Sequence, residues 1–127
     1  VYIRRKSLKR ILIVEDNEHN MYLINFILEK NGYETIKALN GEEGIVLAMK
    51  EKPDLIIMDI QLPDINGLEV TRRIRKSKAD GTIPIIAITS YAMSGDRDKA
   101  LEAGCTGYIE KPINPDTIMA EIEEYLV

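Results

Sequence analysis

Long apolar runs are missing from this chain. No stretch of its 127 residues approaches the roughly 20 consecutive apolar residues that a membrane-spanning helix needs. The basic start, VYIRRKSLKR, lacks the long apolar segment of a secretory signal. Cysteine is nearly absent as well: Cys105 stands alone, which excludes an internal disulfide framework and fits a cytoplasmic setting. Histidine occurs once, at His19, with no thiol to partner it in a metal site, so a solvent-facing or partner-contacting role is expected for it. Positive charge is in deficit: the formal net charge of -4 argues against non-specific binding to nucleic acid. No glycine-rich phosphate loop appears.

What is present suits one globular domain. The chain is 45% hydrophobic and 30% charged, and its length allows a single core that buries about two thirds of the unfolded surface. Residues 1–8 read as a basic extension or linker ahead of a domain at 9–127. A membrane or nucleic-acid arm is the alternative reading of that segment.

From Arg10 onward, short aliphatic runs alternate with longer stretches of helical spacing. The runs are ILIV at 11–14, YETIKAL at 33–39, DLIIMD at 54–59, IPIIAIT at 83–89 and GYIE at 107–110. Nearly continuous hydrophobicity at the centre suits parallel strands covered on both faces. Met21, Ile24, Ile27 and Leu28 share one helical face, ending at Asn31-Gly32. A second helix fits Gly41 to Lys50 through Ile45, Ala48 and Met49, and a third fits Leu68 to Ser77 through Val70 and Ile74. A fourth is expected from a Ser94 cap through Ala100, Leu101 and Ala103 to Gly104. A fifth is expected from Asn114-Pro115 to the end of the chain, carrying Ile118, Met119, Ile122 and Leu126. Strands and helices in this alternation give a doubly wound α/β sandwich, since parallel strands need helical crossovers.

In such a sheet the binding crevice lies beyond the C-terminal ends of the strands. Those ends carry Glu15 and Asp16, then Asp59, then Thr89 and Ser90, then Lys111-Pro112; the second ends in Leu39-Asn40 without comparable chemistry. Carboxylates gathered at about 4 Å repel by roughly 4 kcal/mol at an effective dielectric near 20, so the cluster calls for a cation or a proton. Hard oxygens without His or Cys favour Mg²⁺ over zinc. Lys111 then compensates charge, Thr89 offers a hydroxyl to a phosphoryl oxygen, the small Ser90 leaves room for an incoming group, and Asp59 is a carboxylate able to form an acyl phosphate. Each residue alone also has a plain reading: a polar helix-capping turn at Glu15-Asp16-Asn17, an ordinary strand end at Thr89, a surface lysine at Lys111, a small buried hydrophobe at Cys105 and a core aromatic at Tyr108.

Taken together, VEDN with Glu15-Asp16, the stretch Asp59-Ile-Gln-Leu-Pro-Asp-Ile-Asn-Gly67, Ile88-Thr89-Ser90, and Gly104-Cys-Thr-Gly-Tyr-Ile-Glu-Lys-Pro112 resemble the CheY-like receiver domain of two-component response regulators over about Lys9 to Val127. The pattern around MDIQLPDINGLEV and AITSYAM is most similar to stand-alone or hybrid-kinase receivers of the DivK type. The resemblance implies a flavodoxin-like three-layer (βα)5 sandwich with strand order 2-1-3-4-5. It further implies a phosphorelay role, with Asp59 accepting a phosphoryl group from a phosphohistidine on a histidine kinase or histidine phosphotransfer protein. Glu15, Asp16, Asp59 and the backbone carbonyl of Gln61 would surround Mg²⁺, or Mn²⁺ in its place. Thr89 and Lys111 would grip phosphoryl oxygens, Thr89 would draw in Tyr108 as the switch, and the face of helix four, strand five and helix five would change its affinity for a protein target. A cis Lys111-Pro112 bond is implied too. No direct role with nucleic acid or membrane follows, nor turnover of a separate substrate.

At Gln61, two positions beyond Asp59, the resemblance implies that the side chain influences how fast the phosphoryl group is lost, and two further positions have readings of their own. Glu15 stands where Asp is commonest, which leaves direct or water-mediated metal contact open. Asn66-Gly67 suits positive φ in the loop that leads to helix three. Competing readings are an aspartyl-phosphate phosphatase or phosphomutase, against which Gln61 replaces the second acid of Asp-x-Asp; a flavin module, disfavoured by Glu15 and Asp16 where a phosphate would sit; and a docking-only receiver, disfavoured by the intact acid, Thr and Lys set.

Overall fold

A computed structural model describes residues 9–77, 82–90 and 95–126. The strands are β1 (Arg10–Val14), β2 (Glu34–Ala38), β3 (Leu55–Asp59), β4 (Ile85–Thr89) and β5 (Gly107–Glu110). The helices are α1 (Glu18–Lys30), α2 (Gly41–Glu51), α3 (Gly67–Lys76), α4 (Asp96–Ala103) and α5 (Ile118–Glu123). All strand pairs are parallel and the sheet order is 2-1-3-4-5, the doubly wound arrangement expected from the sequence.

Strand side chains alternate between two cores, as a period of two requires. Ile11, Ile13, Leu55, Ile57, Ile86, Ile88 and Ile109 meet Met21, Ile24, Ile27 and Leu28 of α1 and Ile118 and Ile122 of α5. On the other face Leu12, Val14, Ile56, Met58, Ile85 and Ala87 meet Ala48 of α2, Val70 and Ile74 of α3 and Ala100 of α4. Every residue of β3 and β4 is buried, which is why these runs carry no polar alternation until their last residue.

Helix ends follow local chemistry. Asn17 and Asn40 cap α1 and α2 by accepting from Asn20 N and Glu43 N. Gly32 and Gly104 take φ of +87° and +111° just beyond α1 and α4.

Several boundaries differ from the sequence reading. α5 is regular only from Ile118, one turn beyond the expected start; Asn114 opens that turn, its Oδ1 accepting from Asp116 N at 2.9 Å and its backbone carbonyl from Ile118 N at 2.9 Å. It ends at Glu123: Tyr125 N reaches Ile122 O at 3.0 Å and Leu126 N reaches Glu123 O at 3.2 Å, a tightened final turn. β4 starts at Ile85, two residues late, with Pro84 O already accepting from Ile56 N. The Ser94 cap lies outside the described residues; the residue at the α4 N-cap is Gly95, without a side-chain cap bond. Met49 and Leu101, expected on buried helical faces, are 44% and 43% exposed; the alanines beside them, Ala48 and Ala100, carry the contact. Asn66-Gly67 does not adopt positive φ. Asn66 (φ -57°) caps α3 by accepting from Leu68 N, and glycine is needed at 67 because an added Cβ would lie 2.1 Å from the Asp59 carbonyl oxygen. Close approach of two backbones, not a left-handed turn, decides the residue there.

Candidate functional site

The parallel register brings the C-terminal ends of β1, β3, β4 and β5 to one edge. Glu15 continues β1, its N–H bonding Ala38 O at 3.0 Å, and Lys111 continues β5, its N–H bonding Thr89 O at 2.7 Å. The side chains of Glu15 and Asp59 are therefore carried on backbone tied into the sheet, Asp59 through its register with Ile88 of β4. Asp16 sits one residue further out and is exposed. The loop after β3 is fastened to α2: Asp64 Oδ1 accepts from Gly41 N at 2.7 Å and Asp64 Oδ2 from Glu42 N at 2.9 Å. Those two N–H donors hold the Asp64 carboxyl below the usual carboxylate range.

These elements surround a cleft of about 600 Å³ lined by Glu15, Asp16, Asn17, Asn20, Asp59, Gln61, Ser90, Lys111 and Pro112. Glu15 and Asp59 are 1% and 2% exposed, and Lys111 places its Nζ 3.0 Å from Glu15 Oε1 and 3.5 Å from Asp59 Oδ1. The Lys111–Pro112 peptide bond is cis. Gln61 N donates to Asp59 Oδ1 at 3.2 Å, and Asn17 N to Glu15 Oε2 at 3.2 Å. Burial, then the neighbouring Glu15 carboxyl through a hydrogen bond and its charge, push the Asp59 carboxyl up to about 7, against the pull of Lys111 and the Gln61 N–H. One cation does not balance two buried acids with a third beside them.

Glu15, Asp16 and Asp59 each offer an oxygen within 4.8 Å of the others. Glu15 Oε1 lies 3.0 Å from the Lys111 ammonium yet makes no directed hydrogen bond among the described residues, so a buried carboxylate oxygen keeps coordinating capacity. An all-oxygen donor set with spare lone pairs and excess negative charge fits Mg²⁺.

Thr89 is 3% exposed at the end of β4. Ser90, next to it, donates its hydroxyl to Gln61 Oε1 at 2.9 Å. Tyr108 on β5 packs against the core between the sheet and α2 to α4, and its buried hydroxyl has no hydrogen-bond partner among the described residues. Burial raises its pKa, followed by the charges of Asp96 and Glu110, with Arg97 opposing. His19 is exposed in the first turn of α1. Cys105 is buried, with Sγ 3.8 Å from Thr71 Oγ1, and burial pushes its thiol pKa up. Among the described residues no helix is long and apolar enough to cross a membrane.

Three contacts were invisible in the sequence. Asp64 meets its partners 22 and 23 residues away, Ser90 meets Gln61 29 residues away, and Gly67 packs on the Asp59 backbone. Only the LPD and NG signatures of the loop hinted at the first and third.

Comparison with known proteins agrees with this geometry. Residues 11–123 match the family model of the response regulator receiver domain. The polar-differentiation response regulator DivK of Brucella anthropi is 47% identical over 118 residues, 93% of this chain and 96% of that protein. A CheY-like receiver domain protein from Methanospirillum hungatei superposes with a TM-score of 0.87 at 37% identity, covering 94% of each chain. The receiver domain of a sensor histidine kinase from Pseudomonas aeruginosa, solved with a magnesium ion coordinated in its active site cleft, has a TM-score of 0.86 at 32% identity over 94% of this chain and 98% of that one. The crevice of carboxylates, Thr89 and Lys111 at the strand ends, the 2-1-3-4-5 sheet and these matches place the chain in the response regulator receiver domain family.

Proposed function

We propose that Asp59 is the phosphoacceptor of a two-component phosphorelay. A carboxylate oxygen of Asp59 attacks the phosphorus of a phosphohistidine on a histidine kinase or histidine phosphotransfer protein. The P–N bond breaks, the imidazole leaves with a proton from solvent, and an acyl phosphate remains. The observation that carries this reading is the Asp59 carboxylate itself, buried at the end of β3 in an open cleft with acids from β1 and the Lys111 ammonium 3.5 Å away.

Glu15, Asp16, Asp59 and the Gln61 backbone carbonyl would hold Mg²⁺, with Mn²⁺ as a substitute; the bound ion supplies charge neutralisation between the acids and the phosphoryl oxygens. Lys111, already between Glu15 and Asp59, turns its ammonium to a phosphoryl oxygen as negative charge accumulates there. Thr89 donates its hydroxyl to another of those oxygens. Its movement draws Tyr108, whose hydroxyl has no hydrogen-bond partner among the described residues, and the surface of α4, β5 and α5 changes affinity for a protein target. The change is a population shift, limited by how much better the phosphoryl group fits the active arrangement. The domain acts only on its own phosphorylation state, in the cytoplasm, without contacting membrane or nucleic acid directly.

The test is intact mass after incubation with Mg²⁺ and a small acyl phosphate. One labile phosphoryl adduct is expected, dependent on metal and missing from Asp59→Asn. A folded protein that takes no adduct would refute the reading in favour of a docking-only domain.

A further inference from the structure

Three residues spaced four apart along one line of α3 each touch a different part of the molecule. At the start, Gly67 donates its N–H to Ile60 O at 2.8 Å and lies so close to Asp59 O that no Cβ fits. One turn on, Thr71 donates its hydroxyl to Gly67 O at 2.9 Å and approaches Cys105 Sγ at 3.8 Å. A further turn on, Arg75 donates Nε–H to Gly104 O at 2.9 Å, and its stem lies where a Cβ on Gly104 would come within 2.8 Å of Arg75 Cγ. Ile60 N is itself bonded to Ile88 O of β4. The helix is thus fastened to the sheet at one end and to the turn between α4 and β5 at the other. Tyr125 grips that turn from the opposite face: a Cβ on Gly107 would sit 2.5 Å from its ring Cζ.

The two ends of α4 are held unequally. Its last turn carries no basic residue, and the cation that favours a helix C-terminus is supplied by Arg75 of α3. Gly104 N and Cys105 N close that end on Leu101 O and Ala100 O, each at 3.0 Å, and Thr106 N bonds Ile85 O at 2.7 Å. At the start, Gly95 (φ +90°) has no side chain with which to cap the helix, and Asp96 and Lys99 border a cavity of about 280 Å³ shared with Leu68 and Thr89. Resting on the phosphoacceptor reading, we propose that the turn from Gly104 to Gly107 is the fixed pivot of α4 and that Arg75 is the positioning residue that holds it. A helix anchored at one end swings about that end, so its displacement grows with distance from the anchor. A phosphoryl group on Asp59 therefore alters the target surface at the first turn of α4 and leaves the base of α4 and the start of β5 in place.

The experiment measures amide hydrogen exchange residue by residue by NMR in the full chain with Mg²⁺, with and without a small acyl phosphate in excess, and uses intact mass to confirm the adduct. Three proteins are compared: unaltered, Arg75→Met and Arg75→Lys. In the unaltered protein the Lys99 amide, bonded to Gly95 O at 3.0 Å, is expected to differ between the two states about tenfold, an ordinary coupling between sites. The Cys105 and Thr106 amides are expected to exchange equally in both. Arg75→Met keeps the stem but loses the donor, and the Cys105 amide is then expected to differ between states about fivefold, the factor that one ordinary hydrogen bond commands. Arg75→Lys, which keeps stem, charge and one donor, is expected to return the pattern of the unaltered protein. A purely structural role would raise exchange at the turn in both states alike and leave no difference between them. Differences as large at Cys105 and Thr106 as at Lys99 in the unaltered protein would overturn the pivot, whether or not Arg75→Met folds; an Arg75→Met protein with the unaltered pattern would overturn the role of Arg75. Failure of the unaltered chain to form any adduct would remove the phosphoacceptor reading and this proposal together, whereas an adduct that leaves α4 unchanged along its whole length would remove only the pivot.

Discussion

Replacing Asp59 by Asn makes the metal-free protein more stable at neutral pH, and the amount follows from the cleft. The Asp59 carboxyl moves from 3.8 to about 7 on folding, chiefly through burial and the adjoining Glu15. A raised carboxyl pKa means that the folded state binds the proton more tightly than the unfolded chain. The resulting penalty is absent below the unfolded value near 3.8, grows as pH rises, and is complete above about 7. The full difference corresponds to about 4 kcal/mol. The cleft opens to water, which screens part of it, so about 2 kcal/mol is the working magnitude. Asn keeps the shape and removes the charge, leaving Lys111 to pair with Glu15 alone at 3.0 Å. Urea unfolding in the presence of a chelator, followed by far-UV circular dichroism from pH 4 to pH 8, measures this. The variant gains about 2 kcal/mol at pH 8, the gain shrinks steadily towards pH 4, and Mg²⁺ added to the unaltered protein at pH 8 recovers much of it by binding the folded state. A variant less stable than its parent at pH 8, or a gain independent of pH, would refute the argument that Asp59 is a strained, uncompensated acid.

Three other outcomes follow from named contacts. Gly67→Ala drives a Cβ to 2.1 Å from the Asp59 carbonyl and 2.8 Å from Ile60 Cα; these backbone atoms have nowhere to go, so a loss of about 3 kcal/mol in urea unfolding is expected, at the upper end of overpacking costs, together with impaired adduct formation. Asp64→Ala removes the acceptor of two α2 N–H groups and loosens the loop after β3 from α2, read as a lower thermal midpoint with Asp59 still able to take a phosphoryl group. Lys111→Met withdraws the ammonium next to Glu15 and Asp59; adduct formation slows about 100-fold, the usual consequence of losing one charge-stabilising donor, and an unchanged rate in the mass assay would take Lys111 out of the chemistry.

Much of the fold was legible because burial on two faces leaves a simple mark. β3 and β4 are buried along their whole length, so LIIM and IIAI read as continuous apolar runs, and the first polar residue after each, Asp59 and Thr89, marks where the strand meets the cleft. Helix ends were legible where one residue decides them, as at Gly32 and Gly104. The start of α5 was read one turn early: Asn114 accepts from Asp116 N and Ile118 N, yet the regular helix runs only from Ile118. Asn66-Gly67 failed for a different reason, since the demand for glycine comes from Asp59, eight positions earlier, and not from the turn itself.

The sequence by itself determined which chemistry this protein holds, because residue type sets donor hardness and charge: three acids, a hydroxyl and a lysine at the ends of apolar runs, without histidine or thiol beside them. Only the tertiary structure decided how these groups act on one another. Strand register places Lys111 nearer to Glu15 than to Asp59, burial raises the Asp59 pKa, and long-range contacts assign Asp64 to α2 and Ser90 to Gln61. Distances between residues tens of positions apart depend on how strands and loops pack, and no local pattern encodes them.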